Sequence, residues 1–121
     1  MPELEVEGYA TVNVEEDLRL VLAIEEEAGV DIMHQCGGNA HCATCRVEFL
    51  EGEPEDMTEA EHTLLEMREL IGEARLSCQI LVEHDMKVRP MMTVESVGAS
   101  SPGGKPEEEI TPDPMWIERP Y

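Results

Sequence analysis

Three cysteines within the ten residues CGGNAHCATC, and a fourth far downstream, constrain this chain more than any other feature of its sequence. Cys36, Cys42, Cys45 and Cys78 read as Cys-x5-Cys-x2-Cys followed by a long gap. Two disulfides are a poor account: Cys42 and Cys45 are too close for an ordinary structural bridge, and nothing in the opening MPELEVEG marks a secretory leader. The expected compartment is therefore cytoplasmic, where cysteines signal metal or catalysis before cross-links. A structural zinc site wants two ligand pairs, and the second is missing. A redox Cys-x2-Cys would use Cys42 and Cys45 alone, leaving Cys36 and Cys78 without a role. A c-type haem needs His after Cys45, where Arg46 stands.

An iron–sulfur cluster uses all four thiols. Two irons bridged by two sulfides need four terminal thiolates, three of which can come from one curled loop. Electron-rich sulfurs want N–H donors. Gly37 and Gly38 can turn their backbones inward, and Ala40, Ala43 and Thr44 are small enough for close approach, so these five are the candidate backbone donors. The fourth thiolate, Cys78, ties the loop to a later element, so the fold is expected to depend on the cluster.

The length of 121 residues suits one domain. Aromatic residues are 3%, so the core must be aliphatic and rich in Met. No apolar run is long enough to cross a membrane. Lys and Arg number 8 against 28 Asp and Glu, a formal net charge of −20. That excess disfavours nucleic acid and anionic membranes, and favours a basic protein partner met by electrostatic steering.

Alternation through Leu4, Val6, Ala10, Val12 and Val14 predicts a hairpin about Gly8. The stretch EEDLRLVLAIEEEAGV predicts a helix with Leu18, Val21 and Leu22 inward, stopped by Gly29. CRVEFLEG predicts a strand. MTEAEHTLLEMRELIG predicts a second helix over 58–71, with Thr58 and Glu61 as a capping box and Met57, Ala60, Leu64, Met67 and Ile71 on its inner face. LSCQILVEH and MKVRPMMTVESV predict further strands, with Pro90 a break or an edge. The expected division is a domain over 1–97 and a Pro/Gly-rich extension over 98–121. Met115, Trp116 and Ile117 in that extension call for burial, on the domain as a clasp or on a partner.

The segments DIMHQCGGNAHCATCRVEF, EARLSCQI and DMKVRP resemble the [2Fe–2S] ferredoxins of the adrenodoxin and putidaredoxin type, over about Leu4 to Val97. The resemblance implies an α+β fold of the β-grasp kind: a mixed sheet packed by one main helix, with the cluster loop near the surface. It implies one [2Fe–2S] cluster held by Cys36, Cys42, Cys45 and Cys78, with Cys36 and Cys42 on the outer iron and Cys45 and Cys78 on the inner one. The function implied is that of a soluble monomeric one-electron carrier, not an enzyme, moving electrons from a ferredoxin reductase to an acceptor protein. The alternative is a cluster-containing sensor or a cluster-assembly or interaction protein. An acidic docking face would be formed by Glu59, Glu61, Glu66 and Glu69. Thr63 departs from the acidic pattern of that branch, and the interval from Cys45 to Cys78 is shorter than in it.

Overall fold

The computed structural model describes residues 1–121, and its frame follows from where the apolar positions fall. Leu4 and Val6 of strand β1 (Glu3–Val6) are buried, and β1 pairs antiparallel with β2 (Ala10–Asn13) across a turn in which Gly8 has a φ of +83°. On its other side β1 runs parallel to β8 (Met86–Pro90). Antiparallel β4 (Arg46–Glu51) then joins β8 to β6 (Arg75–Leu76), completing a five-stranded mixed sheet in the order β2-β1-β8-β4-β6. Pro90, which has no N–H to give a ladder, is the last residue of β8.

The first helix begins later than the sequence predicts. Leu18 and Arg19 form a short strand, β3, paired with β7 (Leu81–Val82), and Asp17 N donates to Val82 O at 2.9 Å. Helix α1 (Leu20–Leu22) follows and widens into a π-helical turn over Ala23–Glu27, which ends before Gly29 at a φ of +69°. Leu20 through Ile24 are all buried, and they share one core with Leu4, Val6, Val47, Leu76 and Val88 of the sheet. This buried helix shares the core of the sheet, and the α+β, β-grasp arrangement is the fold of the chain.

Helix α2 (Glu59–Met67) is also shorter than the predicted span, and it is rotated. Thr58 caps it by accepting from Glu61 N at 3.1 Å, but the other half of the expected capping box is absent. Glu61 points inward instead, fully buried against Arg75, with Leu64 and Leu65 beside it, while Met67 is 72% exposed. The need of Arg75 for a carboxylate sets the inner face, not the apolar stripe through Met67. Between β6 and β7, Ser77–Gln79 form a 3-10 turn carrying Cys78, where the sequence reads as continuous strand. Beyond β8, the segment expected as strand coils into a short helix, α3 (Val94–Val97), closed by a Thr93–Ser96 capping box.

Past Gly98 the chain returns over the domain. His34 N donates to Pro102 O at 2.8 Å, Ile110 is buried, and β9 (Trp116–Glu118) pairs antiparallel with β5 (Asp56–Thr58). Ile117 packs on the core while Trp116 remains 43% exposed.

Candidate metal centre

The loop from Cys36 to Cys45 has no regular secondary structure, and its shape is set by backbone turns. Gly37, Gly38, Ala40 and Ala43 all have positive φ, at +72°, +84°, +56° and +55°. Consecutive turns of this hand aim N–H groups at one side of the chain, the arrangement that cradles anionic sulfur. At Gly38 the cradle is also sterically closed, because a Cβ there would lie 2.9 Å from both Arg19 Nη2 and Pro106 Cβ.

The thiols fall into two pairs. Cys36 and Cys42 are half-buried, and Cys36 N donates to Cys42 Sγ at 3.3 Å. Cys45 and Cys78 are buried.

The sulfurs are well supplied with donors. Asn39 N donates to Cys36 Sγ at 3.3 Å, and Gln79 Nε2 reaches Cys78 Sγ at 3.7 Å. The Thr44 hydroxyl lies 3.0 Å from Cys42 Sγ while accepting from Gln35 N. Burial pushes the Cys36 thiol up, yet the N–H groups of His41 and Asn39, with Cys42, outweigh it and bring it down to about 7. Cys78 lies below the usual thiol range, chiefly because it accepts from Cys45 and in spite of burial, with the Ala40 N–H and the Arg19 charge also helping. Cys45 is pushed well up by donating that bond and by burial.

Among the five expected backbone donors, Thr44 meets a cysteine sulfur with its hydroxyl, which lies 3.0 Å from Cys42 Sγ, and Ala40 has the positive φ of the loop's turns. Gly37 is corrected: its N–H closes a turn onto His34 O at 2.8 Å and is not free for a sulfur. Gly38 and Ala43 shape the loop, as their positive φ values show. Donors that the sequence does not announce are Asn39 and Gln79, whose spacing carries no periodic signal. Among the expected docking carboxylates, Glu59, Glu66 and Glu69 are exposed. Glu61 is corrected: it accepts from Arg75 Nε and Leu76 N, both at 2.8 Å, and cannot meet a partner.

The chain matches the 2Fe-2S iron-sulfur cluster binding domain family over residues 4–83, from β1 through the fourth cysteine to the end of β7. It belongs to that family. This 2Fe–2S domain is 36% identical over 87 residues to one component of the Na(+)-translocating NADH-quinone reductase of Methylococcus capsulatus (strain ATCC 33009 / NCIMB 11132 / Bath), a match covering 71% of this chain and 21% of that protein. It thus spans about a fifth of the length of that relative. To terpredoxin of Pseudomonas sp it is 29% identical over 87 residues, covering 68% of this chain and 82% of terpredoxin. In fold it is similar to the ISC-like [2Fe–2S] ferredoxin of Pseudomonas putida JCM 20004, with a TM-score of 0.58 at 23% identity over 74% of this chain and 91% of that one. The Trichomonas vaginalis ferredoxin gives 0.57 at 21% identity, over 72% and 96%.

The cofactor of the domain is a single [2Fe–2S] cluster, and its chemistry is electron transfer. Four thiols in two pairs, N–H donors on their sulfurs and a loop closed to side chains at Gly38 fit that group.

Proposed function

We propose that this chain is a one-electron shuttle between a ferredoxin reductase and an acceptor protein, with Cys36, Cys42, Cys45 and Cys78 as its cluster ligands. The carrying observation is the asymmetry of the two thiol pairs: Cys45 and Cys78 are sealed in the core, while Cys36 and Cys42 lie in a half-exposed loop. Electrons would exchange at that outer edge. Glu59 of α2 shares a groove of about 400 Å³ with Asn39, Ala40 and His41 of the loop, so acidic charge stands beside the exchange edge. Glu66 and Glu69 extend the charge along the same helix and just past its end. A basic partner is the complement.

The division that goes with this reading is a cluster domain over 1–97 and an extension over 98–121 folded back on it. Self-repulsion at a net charge of −20 supports a monomer. Four unbridged thiols kept for iron support a reducing, cytoplasmic setting. Since relatives include a segment of a larger reductase component, the mass of the native protein in its own cells tests whether the carrier works free or as part of a longer chain.

Electron paramagnetic resonance on the purified protein tests the site. Silence when oxidised and one rhombic signal of about one spin per chain when reduced are expected. The Cys78→Ser variant should lose or alter that signal; a normal, stable cluster there would overturn the ligand set. Replacing Glu59, Glu66 and Glu69 by Lys should slow reduction by a ferredoxin reductase roughly tenfold at low salt. Slow exchange with every reductase, together with binding of a partner that depends on cluster redox state, would favour a sensor instead.

A further inference from the structure

Arg19, at the end of β3, has no exposed surface, yet it takes part in none of the chain's ion pairs. A buried guanidinium without a carboxylate is costly unless each N–H finds an acceptor. Here all five do, and every acceptor is a backbone carbonyl. Nε and Nη2 donate to Cys78 O at 3.1 and 2.5 Å, and Nη2 also donates to Gly38 O at 2.7 Å. Nη1 donates to Glu107 O and Glu109 O at 2.8 and 3.1 Å. These carbonyls belong to three separate stretches: the cysteine loop, the turn bearing the fourth thiol, and the C-terminal extension.

The extension lies close on the loop around this point. Pro106 Cβ and Arg19 together leave no space for a side chain at Gly38, and the His34 carbonyl leaves none at Gly103. Gln79, which reaches Cys78 Sγ, also donates to Thr111 O at 2.9 Å. Residues 102–111 therefore form a second wall over the loop, joined to it where Arg19 sits.

We propose that Arg19 is a positioning residue for the cluster: it fastens the wall formed by residues 102–111 across the cysteine loop, and its charge, balanced only by carbonyl dipoles, favours the reduced state. A cation held without a carboxylate remains available to offset the negative charge that arrives with one electron. Its Nε and Nη2 stand on the carbonyl of Cys78 itself, and Nη2 also on that of Gly38 within the cysteine loop. The proposal rests on those cysteines and Cys42 being the ligands.

The test uses full-length cluster-loaded protein with Arg19→Gln and Arg19→Lys. One readout is the reduction potential. The other is cleavage after Glu107, Glu108 and Glu109 by a glutamate-specific protease, mapped by mass spectrometry. Arg19→Gln should move the potential to a more negative value and speed cleavage about thirtyfold, the factor expected from losing two hydrogen bonds of ordinary net worth. Arg19→Lys should keep the potential near the parent value and still lose protection, because an ammonium has three donors for four carbonyls. Unchanged potential and cleavage in Arg19→Gln would overturn the proposal. So would rapid cutting after Glu107–Glu109 in the parent protein relative to its other exposed glutamates, whether or not the variants fold. Failure of the cysteine assignment shows elsewhere, as a normal cluster in Cys78→Ser, and leaves these two readouts to judge Arg19 alone.

Discussion

Glu61 survives without exposure inside α2 because Arg75 and the Leu76 N–H take up its oxygens, while Arg75 also donates to Pro54 O and Asp56 O. Removing one partner of such a pair leaves a buried charge unmatched. Glu61→Ala is expected to cost about 3–5 kcal/mol, read as a lower guanidinium midpoint of the holoprotein. A loss under about 1 kcal/mol would mean that Arg75 recovers its bonds from water. Gly38→Ala acts differently, by forcing a Cβ against Arg19 and Pro106 at a φ of +84°. It should shorten the lifetime of the cluster absorbance under mild denaturant, and an unaltered lifetime would show that the loop can retreat. The family is legible at this scale because thiols at restricted spacing point to a cluster. Arg19, Arg75 and Glu61 are not. Each is charged, and a charged residue reads as solvated until its buried partners, distant in sequence, are known.

At the scale of elements, legibility follows periodicity. The hairpin β1–β2 and strand β4 alternate as strands do, and they form where expected. The sequence starts the helix before the cysteine loop too early, since Leu18 and Arg19 obey a pairing with Leu81 and Val82 that only the folded chain supplies. The extension offers no period at all, and its order comes from hydrogen bonds to the domain. Deleting residues 98–121 should therefore lower the melting temperature, by exposing the ground beneath Ile110 and Ile117 and leaving Arg19 short of acceptors. An unchanged melting temperature would mean that the extension serves only a partner. Its last residue adds a pH dependence. Burial, with the hydrogen bond to Glu53, pushes the Tyr121 hydroxyl up to about 12. A pKa raised on folding gives stability that is complete below the unfolded value near 10 and is lost as the pH rises through about 12. Tyr121→Phe should flatten the stability curve over that window, and a curve that keeps its slope would assign it to another group.

For the whole molecule, one quantity acts twice. A net charge of −20 on 121 residues makes the carboxylates repel one another, and few are neutralised, since 8 Lys and Arg face 28 Asp and Glu and the pairs made by Lys87, Arg89 and Lys105 lie at the surface and are individually weak. The same field draws in a basic partner. Salt screens both effects, and they carry opposite consequences. Between about 10 and 150 mM NaCl the Debye length falls from about 30 to about 8 Å, so repulsion across the domain is largely removed while short buried contacts such as Glu61–Arg75 are not. The melting temperature of the holoprotein should therefore rise over that range. The rate of reduction by a ferredoxin reductase should fall over the same range, steeply for the parent and less so once Glu59, Glu66 and Glu69 are replaced by Lys. A flat melting temperature would mean that the charges are already locally balanced. A reduction rate indifferent to salt would place the productive contact on apolar surface, where Met67 and Met115 stand exposed beside the cluster loop.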